Sequence, residues 1–224
     1  MKPAHSDKLR KLIAYGISIA PTSTLRVALL KAVFGYRFGA NSSVGFGTII
    51  AVDELVCGHG VIISRGNTLI GPISVQIGDR VLIGKYNVVE CSFAIRGSEF
   101  AHMQYKRRLV IGEGSLINQG HLFDLAGEIS IGARTWVAGF NSQFITHGAS
   151  VMDRDIAIGN DCFIGSAVRF SPGSAVANNI MVGIGAVVTK RLSESNAVIA
   201  GIPAKVIRKR DEHDQFKFER VWER

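Results

Sequence analysis

The chain has 224 residues and a formal net charge of +8, with 47% hydrophobic residues, 25 glycines and 5 prolines. No apolar run is long enough for a transmembrane helix and no secretory signal follows Met1, so we expect a cytoplasmic protein. Three cysteines without paired spacing argue against a disulfide framework and a zinc motif, and we expect no metal. The positive charge comes without any nucleic-acid-binding motif, so nucleic acid is not an expected partner.

The first segment, residues 1–39, is basic and is predicted to be helical. It holds seven basic residues against Asp7 alone, a net +6 and most of the charge of the chain. Apolar residues recur at helical spacing on both sides of Pro21. We predict one or two helices that cover the open end of the fold as a cap. The alternative is partial insertion into a membrane interface, which would place the protein at the inner membrane face.

A six-residue period organises residues 40–192, and it is most regular from Ile158 to Ser193. There the first position of each hexad is apolar and the second is small. This period fits neither an α-helix nor plain strand alternation, and it indicates a parallel β-helix in which each hexad forms a short strand and a corner. Three hexads make one triangular coil, and neighbouring coils bury each other. We therefore predict an all-β fold.

Breaks in this period mark the candidate functional segments. The polar, aromatic and basic stretch 93–109 has no six-residue pattern and is predicted to be a loop extruded from one corner. Further breaks occur around His121 and around His147. Loops on a rigid scaffold commonly carry function, and histidine can act as a base near neutral pH. Spacing alone does not rank the two histidines.

The remaining segment, 193–224, is expected to close the last coil. The period ends after Leu192, and the stretch from Asp211 to Arg224 mixes charged and apolar residues. We predict a C-terminal extension that ends in a short helix or tail.

The motifs THGAS, IAIGNDCFIGS, SPGS, VGIGAVVTK and VIAGIPAKVIRKR closely resemble those of the hexapeptide-repeat acyltransferases. The resemblance covers roughly residues 40–210 and is strongest to the sugar O-acetyltransferases, which include galactoside and maltose acetyltransferases and enzymes of polysaccharide biosynthesis. It implies a left-handed coil, whereas general rules for parallel crossovers favour the right hand. It also implies a homotrimer with active sites between neighbouring subunits.

The same resemblance implies roles for individual residues. His147 matches the general base of the family, which takes the proton of a sugar hydroxyl. Acetyl-CoA is the expected cosubstrate, and the positions that match its contacts are Ser166, Ala167, Gly185, Ala186, Thr189, Lys190 and Arg208. The polar residues expected to face the acceptor are Asn118, His121, Asp124, Asn141 and Gln143.

The expected function is acetyl-CoA-dependent O-acetylation of a sugar hydroxyl in a cell-surface polysaccharide, such as a capsule, O-antigen or exopolysaccharide. N-acetylation of an amino sugar or small amine is the alternative on the same scaffold. A γ-type carbonic anhydrase would need three histidines at a metal, and no third accompanies His121 and His147. A non-catalytic hexapeptide-repeat assembly protein would not require the VVTK and IPAKVIRKR motifs.

Overall fold

The computed structural model describes residues 7–148 and 151–211. They form a left-handed parallel β-helix preceded by two helices, so the predicted fold class is confirmed. The predicted C-terminal helix or tail, from residue 212 onward, lies outside the described residues.

The helices are α1 (Asp7–Ser18) and α2 (Ser23–Phe34). The strands in chain order are β1 (Arg37–Phe38), β2 (Ser43–Val44), β3 (Ile49–Cys57), β4 (Ile62–Ile63), β5 (Thr68–Ile77), β6 (Leu82–Ile83), β7 (Val88–Glu90), β8 (Arg108–Ile111), β9 (Leu116–Ile117), β10 (Leu122–Asp124), β11 (Glu128–Ile131), β12 (Trp136–Val137), β13 (Gln143–Ile145), β14 (Ile156–Ile158), β15 (Phe163–Ile164), β16 (Arg169–Phe170), β17 (Ala175–Val176), β18 (Ile180–Val182), β19 (Val187–Val188), β20 (Arg191–Leu192), β21 (Ala197–Ala200) and β22 (Lys205–Lys209).

These strands stack into three faces. Face 1 contains β2, β4, β6, β9, β12, β15, β18 and β21; face 2 contains β7, β10, β13, β16 and β19; face 3 contains β1, β8, β11, β14, β17 and β20. The long strands β3 and β5 bend around the corner from face 2 to face 3 and join those faces into one sheet. Pairing is parallel until β22, which pairs antiparallel with β21. The stack therefore continues past Leu192, where the sequence pattern ends.

Side chains of equivalent positions lie above one another inside the coil. On face 2, Phe144 stacks between Phe123 and Phe170, with ring centroids 4.6 and 5.2 Å away. All three rings are fully buried. Burying a side chain of this size contributes about 1.5–3 kcal/mol, so the apolar hexad positions supply the main stabilisation of the coil.

A ladder of buried polar side chains runs along the corner between faces 1 and 2. Its members are Thr48, Asn67, Asn87, His121 and Ser142. The backbone N–H of each later member donates to the side chain of the previous one; for example, the N–H of Ser142 donates to Nδ1 of His121 over 3.1 Å. Because buried N–H groups must find acceptors, these five buried polar residues are structural.

The two helices cover the first coil. Ser23 accepts a hydrogen bond from the N–H of Val44, and the buried Arg26 donates to the carbonyl of Val44, both over 2.9 Å. These bonds satisfy the open edge of face 1, which would otherwise present unpaired groups to solvent. No helix in the described part of the chain is long and apolar enough to cross a membrane.

Two loops leave the coil at the same corner, between faces 2 and 3. Loop A comprises residues 91–107 and contains two short 3-10 helices, Phe93–Arg96 and Ser98–Met103. It ends earlier than the extruded loop predicted from the sequence, because β8 begins at Arg108. Loop B, described over residues 146–148 and 151–155, contains His147. The intervening coil turns this corner within residues 125–127, directly between the two loops.

Candidate active site

A cavity of about 690 Å³ opens at the corner that carries the two loops. Loop A supplies its aromatic wall through Phe93, Phe100 and Tyr105. Lys11 of α1 lines another side, with its ammonium 4.7 Å from the centroid of the Phe93 ring. The cavity therefore lies between the coil, loop A and the first helix, and it combines apolar surface with a few polar groups, as small-molecule sites do.

Arg154 of loop B holds the two loops together. Its side chain is buried, its Nε donates to the carbonyl of Val151, and its Nη1 donates to the carbonyl of Met103 over 3.3 Å. The guanidinium also packs over the ring of Tyr105, which is a cation–π contact. Lys106 forms an ion pair with Asp155 beside it. The aromatic wall is thus anchored to loop B.

The coil side of the cavity carries two carboxylates and the candidate base. Asp124 ends β10 and pairs in register with Glu90, the last residue of β7. His147 follows β13, whose last residue pairs with Asp124. Burial raises the pKa of Asp124, Glu90 raises it further, and the opposing charge of His147 lowers it. The imidazole is exposed to the cavity, and the three groups interact electrostatically.

Cys91 also borders the cavity but is not suited to nucleophilic chemistry. Burial raises the pKa of its thiol to about 11, and the nearby Asp124 and Glu90 add to the effect. The thiolate is the nucleophilic form of cysteine, so this side chain stays neutral and unreactive near neutral pH.

Of the predicted acceptor residues, Asp124 lies beside His147 on the cavity. Asn118 and Asn141 lie instead at the corner between faces 1 and 2, where Asn141 has a positive φ of 62°. Gln143 lies on the outer surface of face 2 and accepts a hydrogen bond from Arg169. Within one chain the structure does not bring these three to the base.

His121 is buried in the polar ladder and does not line the cavity. Its Nδ1 accepts the N–H of Ser142, and Val137 lies near the ring. Burial lowers the pKa of His121 to about 4, so the ring is neutral at physiological pH. It therefore forms no charged pair with Asp124, and this placement departs from the acceptor role expected from the sequence.

The predicted acetyl-CoA positions fall into separate groups. Ser166, Ala167 and Gly185 stack at the corner between faces 1 and 2, where the N–H of Gly185 donates to the carbonyl of Ser166 over 3.0 Å. Ala186 is buried, so its methyl group points into the core. The exposed Thr189 and Lys190 lie at the other corner, that of loops A and B, and Arg208 lies on β22.

Sequence reasoning missed Glu90, Lys11 and the aromatic residues as lining groups of this site. A signal for Glu90 was present, because it is the last residue of a hexad strand before the period breaks at loop A. Lys11 carries no such signal, since only the packing of α1 against the coil brings it to the cavity. Among the described residues, no group of three metal-ligating side chains comes together.

The chain is similar in sequence to known acetyltransferases. No protein-family model matches the chain. It is 45% identical to galactoside O-acetyltransferase of Escherichia coli K12 over 65 residues, which cover 28% of this chain and 32% of that protein. It is 36% identical to chloramphenicol acetyltransferase of Agrobacterium fabrum over 116 residues, covering 48% and 54%. The matches span less than two thirds of either relative.

A solved structure extends the likeness over more of the chain. The polysialic acid O-acetyltransferase OatWY superposes with a TM-score of 0.52 at 22% identity, covering 78% of this chain and 85% of that one. The resemblance to the hexapeptide-repeat acyltransferases is confirmed. At 22% identity, the structural similarity shows only that the two proteins share the β-helix fold.

Proposed function

We propose that this protein is an acetyl-CoA-dependent acetyltransferase that O-acetylates a sugar hydroxyl of a cell-surface polysaccharide or its precursor. The observation that carries the proposal is the position of His147, exposed directly after β13 at a cavity with carboxylates and aromatic walls. Carboxylates accept hydrogen bonds from sugar hydroxyls, and aromatic rings pack against the apolar face of a sugar ring. The partial similarity to a galactoside O-acetyltransferase points the same way.

In the proposed reaction His147 takes the proton of the acceptor hydroxyl as general base. The hydroxyl oxygen then bonds to the acetyl carbonyl carbon, the carbon–sulfur bond breaks, and the thiol leaves with a proton. Acetyl-CoA supplies the activated acetyl thioester. The negative charge of Asp124 interacts with His147, and it stabilises the protonated imidazole that forms during the reaction. No covalent enzyme intermediate is required.

The corner between faces 1 and 2 fits the cosubstrate. A Cβ added at Gly185 would meet no atom within 4 Å, so the corner is open there. The exposed side chains of Phe140 and Ile184 flank it and suit an apolar pantetheine arm. Lys190, at the corner of loops A and B, and Arg208, on β22, offer charges for the phosphates of the cosubstrate. We propose that Ser166, Ala167, Gly185 and Arg208 contact acetyl-CoA together with Thr189 and Lys190 of a neighbouring chain. Asn118 and Asn141 lie at the same corner, and Gln143 lies on the adjoining face 2.

We propose a homotrimer, because one chain holds the two halves of this site apart. The stretch from Asn141 at one corner to His147 at the other crosses face 2 and spans about 20 Å at about 3.3 Å per residue. A neighbouring chain that places its corner beside His147 would close the gap, and cyclic symmetry would complete all three sites. Light scattering should give about three times 24.2 kDa. An active monomer would refute the shared site.

The outer surface of face 1 supports such an interface. A column of outward apolar side chains runs along it in strand register: Ile62, Leu82, Leu116, Trp136, Phe163, Met181 and Val198. Ile62 is exposed, Leu116 is buried and the other five are half-buried. An outward apolar column of this kind is a candidate for protein–protein contact.

We further propose that the N-terminal helices contact the inner membrane surface. Leu12 and Tyr15 of α1 are 68% and 52% exposed, and Ile19, directly after the helix, is 64% exposed. The basic charge is partly used internally, since Arg26 binds backbone carbonyls and Arg37 pairs with Glu54. Apolar insertion should therefore contribute more than charge. Flotation with anionic liposomes should recover the wild type but not Leu12→Glu, and equal recovery of both would refute the contact.

One assay tests the central proposal. Thiol release from acetyl-CoA is measured with a panel of glycosides, amino sugars and chloramphenicol, and each product is examined for ester or amide linkage. We expect ester formation on glycosides that depends on His147. Amide products would favour the N-acetyltransferase alternative. The similarity to a chloramphenicol acetyltransferase makes esterification of that alcohol the second candidate activity. Absence of thiol release with every acceptor would refute the proposed acetyltransferase activity.

A further inference from the structure

The reactive end of the cavity is acidic. Glu90 and Asp124 are register partners on adjacent strands, and neighbouring strands lie about 4.8 Å apart. Both side chains line the cavity together with His147. Any part of an acceptor next to the hydroxyl that His147 deprotonates therefore faces two carboxylates in a row along the coil axis.

These two carboxylates differ from most others in the molecule. Eight carboxylates elsewhere in the described residues form ion pairs with arginine or lysine: Asp7, Asp53, Glu54, Glu113, Glu128, Asp153, Asp155 and Asp161. No ion pair or side-chain hydrogen bond joins Glu90 or Asp124 to another described residue. Their acceptor oxygens are therefore available to a ligand.

Apart from His147, the cationic side chain among the described lining residues is Lys11, and it lies on a different wall. Lys11 projects from α1, and its ammonium packs against the face of Phe93 in loop A. Arg107 at the end of loop A acts on Cys91 but does not line the cavity. The coil side that carries the base thus keeps its negative character, while the loop side is apolar with one positive charge.

The structure points to an uncharged sugar unit as the acceptor, held by hydrogen bonds from its hydroxyls to Glu90 and Asp124; we propose that acidic sugars are rejected at this position. This inference rests on the proposed function. Carboxylates only accept hydrogen bonds, and sugar hydroxyls donate them. A uronic or sialic acid carboxylate placed there would instead add a third negative charge. Rejection of a competitor by like charge is a common source of specificity.

The test compares two acceptors that differ at C6 in charge and not in the number of hydroxyls. Acetyl transfer from acetyl-CoA is measured with a methyl hexuronamide, which is uncharged, and with the matching methyl hexuronide at low ionic strength. We expect kcat/KM for the hexuronide to be lower by about tenfold or more, the size of a partly screened charge interaction. Raising the salt concentration should narrow the difference. Equal use of both acceptors, or preference for the hexuronide, would overturn the inference.

Variants assign the discrimination to the site. Glu90→Gln should reduce several-fold the ratio of kcat/KM for the uncharged acceptor to kcat/KM for the hexuronide. Glu90→Lys should bring this ratio to one or below. Glu113→Gln is the control, because Glu113 is an exposed carboxylate paired with Arg80 away from the cavity. An unchanged ratio in both Glu90 variants would overturn the inference and leave the proposed function intact. Failure of every acceptor, neutral or acidic, would instead refute the proposed function.

Discussion

The guanidinium carbon of Arg154 lies 4.5 Å from the centre of the Tyr105 ring, and this contact joins loop B to loop A. Loop B carries the candidate base, and loop A carries the aromatic wall of the cavity. The charge is 4% exposed, which is tolerable because backbone carbonyls of both loops accept its hydrogen bonds. One side chain therefore sets the distance between two parts of the site that are far apart in sequence.

Replacing this side chain should weaken acceptor binding. Arg154→Met keeps an apolar stem but loses the donors, and it leaves the carbonyls of Val151 and Met103 without that partner. We expect the acceptor KM to rise several-fold with kcat nearly unchanged, because the lost contacts position the wall and not the base. The free energy of unfolding should fall by about 1–3 kcal/mol, measured by urea denaturation.

Arg80→Met is the matched control for this variant. Arg80 is exposed and forms a 3.8 Å ion pair with Glu113 on the surface. Its loss should cost no more than about 1 kcal/mol and leave the KM unchanged. An unchanged KM in Arg154→Met would mean that other contacts hold loop A in place.

Local periodicity was sufficient to predict the coil but not the cavity. Phe123, Phe144 and Phe170 occupy inward hexad positions, and each position follows from residues within a few places of it. The pairing of Glu90 with Asp124 cannot be predicted from nearby residues in this way, because the whole of loop A lies between them and contributes no strand to face 2. Which strands become neighbours depends on how many residues the loop removes from the coil.

The ladder explains why polar composition was misleading at His121. His121 lies among polar residues at a break in the period, and the family resemblance predicts that it faces the acceptor. The corner between faces 1 and 2 instead takes inward polar residues in several successive coils, including Asn67 and Asn87, to satisfy backbone N–H groups. A buried hydrogen-bonded residue and an exposed binding residue can have the same local sequence, and only the stacking of coils separates them.

The burial of His121 should make stability depend on pH. Its pKa is lowered from 6.5 in the unfolded chain to about 4 in the fold, so its contribution is complete above pH 6.5. Between those values the unfolded state binds more protons, and stability falls with the pH. At pH 5 the loss relative to pH 7 should be about 2 kcal/mol. Urea unfolding at both pH values measures it.

The variant His121→Asn isolates this group from other titrations. Asn67 and Asn87 already serve as acceptors in the same ladder, so the substitution keeps the bond to Ser142. It should remove the His121 part of the pH dependence and leave the acceptor KM within about twofold of wild type. If His121→Asn raised the acceptor KM and left the pH dependence of the free energy of unfolding unchanged, the result would support an acceptor-binding role for His121.

The apolar column on face 1 should control assembly. Phe163→Glu places a charge in the middle of this outward surface, while the inward Ile164 beside it is untouched. A buried unpaired carboxylate at an interface is strongly unfavourable, so light scattering should show monomers and activity should fall with trimer content. Leu12→Glu is the control, because it alters only the exposed side of α1. A trimeric Phe163→Glu variant would place the interface elsewhere.

The assignment of His147 as general base predicts a loss confined to turnover. The residue is exposed directly after β13, at the cavity that the half-buried Asp124 also lines. Removing a positioned base costs about 10²–10⁴ in rate, so His147→Ala should lose kcat by that factor. It should keep the proposed trimer, and its acetyl-CoA affinity by calorimetry should match wild type, because the residues proposed to contact the cosubstrate do not include His147. His102→Ala is the control, since His102 is an exposed histidine of loop A that does not line the cavity. Wild-type turnover in His147→Ala would refute the assignment, and a comparable loss in His121→Asn instead would transfer the role to His121.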